Sequence, residues 1–214
     1  MWHLTDPLLV IVLLLNFFAL GTSRLRAVIG ATATQGVVLG VLAVVVEGHW
    51  SLRPVLIAAG AIGIKGILIP QLLIRAMREA TIRREVEPFI GYVSSLLTGA
   101  AATGLAIVFA NTLPLAPEHV NSLLLPASFA TVLTGFIVLT TRRKAINQVA
   151  GYVLLENGIY IMGLTLVEAL PFLVEVGILL DLFVGIFVMG IILSHINREF
   201  ASLDTTRLSS LKEE

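Results

Sequence analysis

The chain has 214 residues, of which 57% are hydrophobic and 13% charged, and 14 Lys and Arg balance 14 Asp and Glu. Water-soluble domains carry about 25% charged residues, so a soluble globular fold is excluded, and the mean hydropathy of +0.97 indicates a chain that lives in lipid. It contains no cysteine, which excludes disulfides and Cys-ligated iron–sulfur clusters.

The apolar runs predict an all-α, polytopic membrane protein of seven transmembrane helices. In chain order they fall at residues 7–22, 27–46, 54–73, 88–110, 123–141, 145–167 and 171–194. Four of them open at a proline (Pro7, Pro54, Pro88 and Pro171), which is tolerated in a first helical turn because the missing N–H has no partner there. None of the runs alternates as the strands of a membrane barrel would. A cleaved signal peptide is not expected, because no basic residue precedes the first run.

The basic residues test the count. Arg24 and Arg26 follow helix one, and Arg75, Arg78, Arg83 and Arg84 follow helix three. Arg142, Arg143 and Lys144 follow helix five, and Arg198, Arg207 and Lys212 follow helix seven. With seven spans all of these share one side, and only Arg53 lies on the other. Positive-inside statistics then place the chain in the cytoplasmic membrane, N-terminus outside and C-terminus inside. Topology explains the basic clusters, so nucleic-acid binding is not expected. The longest connections, residues 75–87 and 111–122, are too short for a soluble catalytic domain. Redox chemistry would have to sit on partner proteins.

Polar residues inside the spans carry the functional reading. Helix three holds Lys65 near its middle, among Gly60, Gly63 and Gly66 and ahead of Pro70; Pro70 cannot donate to the carbonyl of Gly66, so a loosened turn is expected beside Lys65. Glu156 lies halfway along helix six with Asn157 beside it and Tyr160 on the same face. Asp181 lies mid-way along helix seven between Gly177 and Gly185, and Glu175 sits near the outer boundary. Each ionisable group at a helix centre costs about 2.5–3.5 kcal/mol, so Lys65, Glu156 and Asp181 must face protein or water.

Desolvation favours the neutral form of such groups and a nearby opposite charge favours the charged form. Groups balanced between the two can load and release protons. Glu156, Asp181 and Lys65 are therefore candidate proton-relay residues, with Gln35, Glu175 and Tyr160 as auxiliaries. The competing reading is a buried ion pair that only fixes packing, formed by Lys65 with Glu156 or Asp181. Tyr160 either donates to the carboxylate or fills a gap, and Glu175 either serves the proton path or reaches headgroup water. The four histidines show no metal-ligand spacing.

A faint duplication lays residues 30–35 of helix two over residues 151–156 of helix six, so that Gln35 stands where Glu156 stands and Lys65 falls near the place of Asp181. Helices one to three and five to seven would be parallel three-helix units joined by helix four. The chain divides accordingly into residues 1–74, a linker with the fourth helix at 75–122, and a second unit with its tail at 123–214.

At Gly151-Tyr-Val-Leu-Leu-Glu-Asn-Gly158, through Leu173-Val-Glu-Val-Gly-Ile-Leu-Leu-Asp181 and into the tail from Leu203 to Lys212, the sequence resembles the component E family of hydrogenase-4 type complexes. The last three helices are also similar to the three-helix K-type subunit of bacterial complex I, which carries one glutamate in its second helix and another in its third. Glu156 matches the first of these, and Asp181 stands at the second with a shorter side chain. The resemblance implies a cofactor-free membrane subunit of an energy-converting redox complex, packed beside other membrane subunits including an antiporter-like one. A peripheral arm would carry the metal centres. An assembly scaffold without conduction, or a stand-alone ion carrier, are the alternatives.

Overall fold

The computed structural model describes residues 4–47, 52–79, 89–113 and 122–165, and all of their regular structure is helical. Helix α1 is Thr5–Gly21 and α2 is Leu25–Glu47. Helix α3 runs over residues 52–79 in three stretches: α-helical Leu52–Ala61, π-helical Ile62–Leu68 and α-helical Ile69–Glu79. Then come α4 at Tyr92–Ala110, α5 at Leu124–Thr141 and α6 at Ala145–Leu164. The predicted seventh span, with Asp181 and Glu175, lies outside the described residues.

Among the described residues, four helices are long and apolar enough to cross a membrane: Leu25–Val46, Ala58–Arg78, Tyr92–Ala110 and Leu124–Thr141. Helix α1 is apolar but shorter. Helix α6, predicted as a span, falls outside that group because Asn147, Gln148, Glu156 and Asn157 dilute its hydropathy. Its side chains answer to protein rather than lipid. It packs on α5, α2 and α3, and Ile159 is its exposed side chain among those described.

Two predicted boundaries shift for physical reasons. Helix four was expected from residue 88, but α4 begins at Tyr92 after an extended Gly91. The amide of Phe89 donates to the Thr141 carbonyl at 2.8 Å, which holds the chain out of helical geometry until that bond is behind it. Helix three was expected to end at residue 73, yet it continues to Glu79, into what was expected to be the charged connection. Ala76 and Met77 are buried there with Ile146 and Val149 of α6, while Arg75 and Arg78 stay exposed. A basic amphipathic turn thus prolongs an apolar helix.

The α5–α6 pair is the tightest contact, built on glycines. A Cβ on Gly135 would collide with the Leu155 backbone, and one on Gly158 would stand 2.6 Å from the Val132 amide nitrogen. The helices meet backbone to backbone, as small residues permit inside membranes. Helix α4, by contrast, touches α1 and α5 and leaves Val93, Leu97, Leu105 and Val108 well exposed.

Apolar side chains form layers at the two ends of the bundle. One end gathers Leu9 and Val12 of α1, Leu39 and Leu42 of α2, Leu124 of α5, and Ile161 and Leu164 of α6. The other gathers Leu25 and Ile29 of α2, Ile69 and Leu73 of α3, and Val149 and Val153 of α6, with Leu20, Val138 and Leu154 alongside. Along α6 the layers claim residues 146–154 and 160–164, and Glu156 and Asn157 fall in the gap between them.

Candidate functional site

That gap is filled by polar side chains from five helices. Lys65 Nζ of α3 lies 2.8 Å from Glu156 Oε1 of α6, and both side chains are almost wholly buried. The Tyr160 ring, one turn further along α6, lies under the same ammonium at 5.1 Å. The cation thus has a carboxylate on one side and the negative face of an aromatic ring on another. Glu156 Oε2 has no hydrogen-bond partner among the described residues.

Lys65 is delivered by the π-helical stretch. Pro70 has no N–H to give the Gly66 carbonyl, and the backbone widens ahead of it: Ile69 N–H bonds to the Ile64 carbonyl, five residues back. The loosened turn expected beside Lys65 is therefore present as a π-turn, a distortion that often accompanies function. The second requirement is close approach. Gly36 of α2 faces the Lys65 backbone, where a Cβ would stand 2.7 Å from the Lys65 carbonyl carbon. Any larger residue at 36 would push α3 away and withdraw the ammonium.

Gln35, next to Gly36, anchors a second group. Its Nε2 donates to Asn16 Oδ1 at 2.7 Å and to the Val12 carbonyl at 3.1 Å, both on α1. Its Oε1 accepts from Asn157 Nδ2 at 3.2 Å. Asn16 Nδ2 donates onward to Thr131 Oγ1 of α5 at 2.9 Å, and the Thr131 hydroxyl donates to the Ala127 carbonyl at 2.7 Å. All four side chains are buried.

The structure thus brings together Lys65, Glu156, Gln35 and Tyr160 of the sequence-derived candidates, with Glu156 in contact with Lys65; Asp181, the other carboxylate offered as its partner, lies outside the described residues. Sequence reasoning passed over Asn16 and Thr131. Their signal was a lone amide and a lone hydroxyl inside apolar spans, which tertiary contacts alone distinguish from hydroxyls such as Thr140, bonded within their own helix.

A second buried charge sits at the α5–α6 turn. Arg142 was read from sequence as one of a basic cluster explained by topology, but its side chain is buried. Its Nη2 donates to the Leu20 carbonyl at 2.9 Å, and its guanidinium lies 5.4 Å from the Tyr92 ring centroid. Leu20 belongs to the last turn of α1, where carbonyls lack helical partners and a cation is favourable. Desolvation lowers its pKa from the ordinary arginine value, with Tyr92 acting in the opposite direction. Arg142 is a clamp that ties the end of α1 to α4 and the α5–α6 turn.

Comparison with known proteins follows the chain along most of its length. It is 32% identical over 192 residues to Rv0085 of Mycobacterium tuberculosis, a protein described as uncharacterized, covering 88% of this chain and 87% of that one. It is 25% identical over 203 residues to hydrogenase-4 component E of Escherichia coli, covering 94% of each, and likewise to the Shigella flexneri protein of that name. No family model and no solved structure matches.

Proposed function

We propose that this chain, which belongs to the family of Rv0085 from Mycobacterium tuberculosis, is a membrane subunit of a complex I-like, energy-converting redox complex of the hydrogenase-4 type and contributes Glu156 to proton translocation. The observation that carries the reading is the Lys65–Glu156 contact at 2.8 Å, buried between two apolar layers. Ionisable side chains inside a membrane bundle are costly and recur in the proton relays of pumps and transporters. The whole-length similarity to hydrogenase-4 component E supports placing that chemistry in a multisubunit membrane assembly.

In this reading Asp181 is the next carboxylate along the path, Lys65 sets the charge around both, and Gln35, Tyr160 and Glu175 are auxiliaries. The partners are an antiporter-like membrane subunit and a peripheral arm bearing the metal centres, with this chain binding no cofactor. The N-terminus lies outside the cytoplasmic membrane and the C-terminus inside. Moving a proton fully across works against about 2.3 kcal/mol per 100 mV, so the driving energy comes from redox chemistry elsewhere in the assembly.

The test is redox-linked proton uptake by the complex carrying Glu156→Gln. Loss of uptake with retained assembly is expected, and wild-type uptake would sink the proposal. A second reading, a scaffold whose charges only dock helices, is favoured by the burial of both members of the ion pair. It predicts poor recovery of the Glu156→Gln complex and normal pumping in whatever assembles.

A further inference from the structure

The amide chain on the far side of Glu156 has a direction, and that direction can be derived. Thr131 spends its proton on the Ala127 carbonyl, so its oxygen must accept, and Asn16 must present nitrogen to it. Asn16 Oδ1 then faces Gln35, whose nitrogen is fixed independently by the Val12 carbonyl. Gln35 Oε1 is left to accept from Asn157. Every donor therefore points away from Asn157, the neighbour of Glu156, and the chain terminates on a backbone carbonyl. Its open end is the acceptor Asn157 Oδ1, which has no hydrogen-bond partner among the described residues.

We propose that Asn157, Gln35, Asn16 and Thr131 form a proton-tight seam that closes the α1–α2–α5 side of Glu156, so that protons reach and leave this carboxylate only by the side bearing Lys65 and Tyr160. The proposal rests on the reading of Glu156 as a proton carrier and adds the side from which it is served. Amides donate and accept hydrogen bonds, yet their side chains do not titrate. To pass along this chain a proton would have to add to the Asn157 amide oxygen and then drive Gln35 and Asn16 through ionised forms. The seam lies between the Leu9/Leu39/Leu124 and Leu20/Val138/Leu154 clusters, which border it with apolar side chains. A purely apolar plug would also be tight, but would leave Asn157 and the Val12 carbonyl with fewer partners. The amides give Asn157 Nδ2 and the Val12 carbonyl their partners without offering a titratable site, and they tie α6 to α2 beside Glu156.

The experiment compares Gln35→Met and Gln35→Glu in the co-purified complex reconstituted in liposomes, reading redox-driven proton uptake and passive proton leak. Gln35→Met is expected to keep the passive leak near wild type, because an apolar side chain is as tight as the amide. Gln35→Glu places a titratable group in the seam, and a leak raised roughly tenfold is expected, abolished when Glu156→Gln is added. A Gln35→Met leak raised as far as that of Gln35→Glu would overturn the inference, because the leak would then not depend on a titratable group. A Gln35→Glu leak at wild-type level, or one that persists without Glu156, would overturn it as well. Wild-type uptake in the Glu156→Gln single variant would instead remove the underlying reading, so the two failures are distinguishable.

Discussion

Arg142 and Lys65 are both cations withdrawn from solvent, yet the bundle keeps them by different means. Arg142 at the α5–α6 turn gives its proton-bearing nitrogen to a main-chain carbonyl and lays its guanidinium against a ring. Neither partner changes charge near neutral pH, so the arrangement has one stable state. Lys65 in the polar layer meets a carboxylate that can itself gain a proton. Both members of that pair are ionisable, and the lysine is carried on the wide turn ahead of Pro70. The same cost of burying charge thus yields a rivet in one place and a candidate switch in the other.

The largest effect expected from breaking this contrast is at Lys65→Met. Stranding Glu156 as an unpaired buried charge should cost about 3–5 kcal/mol, seen as a sharp fall in complex recovered from membranes. Adding Glu156→Leu should restore most of the recovery, since an apolar pair of similar volume replaces a buried ion pair at little cost. An undiminished single variant would show that the pair carries no folding energy. Arg142→Met should be milder, about 1.5–3 kcal/mol for a charged hydrogen bond, read as a lowered melting temperature in detergent. Arg142→Lys should rescue it only in part, because a point charge cannot both reach the carbonyl and stack. Redox-linked proton uptake per assembled complex should be unchanged in either Arg142 variant, and a specific loss there would erase the distinction between rivet and switch.

Packing supplies smaller tests. Gly135→Ala should destabilise by about 1–3 kcal/mol through overpacking against the Leu155 backbone. Gly60→Ala, where an added methyl meets nothing within 4 Å, should stay within about 0.5 kcal/mol. Thermal melts of both proteins check the pair together. A similarly small effect is expected at Thr131→Val, about 0.6 kcal/mol for one interhelical hydrogen bond in a membrane protein. An effect of several kcal/mol there would mean that the amide chain acts as a cooperative unit.

Much of the site was legible in the residues. Lys65 and Glu156 stood out because lipid rejects charge at a helix centre, and Gln35 because the faint repeat set it opposite Glu156. Pro70 announced the loosened turn, since a missing N–H must be absorbed by the backbone before it. Asn16 and Thr131 did not stand out, because a single amide or hydroxyl in an apolar span is cheap enough to serve many purposes. The burial of Arg142 was not legible for a related reason: a basic residue at a helix end satisfies the topology rule whether it faces water or plugs a helix terminus.

Composition and periodicity by themselves determined that this chain is helical and apolar, and which of its residues are too costly to face lipid. Those conclusions follow from one-dimensional quantities: length of run, charge per run, depth along a helix. Tertiary structure alone decided that Glu156 meets Lys65, that Gln35 belongs to a directed amide chain, and that nearly all of α6 is buried against its neighbours. These depend on which helix faces can approach. That is set by glycines such as Gly36 and Gly135 acting against surfaces distant in the chain, which no local pattern encodes.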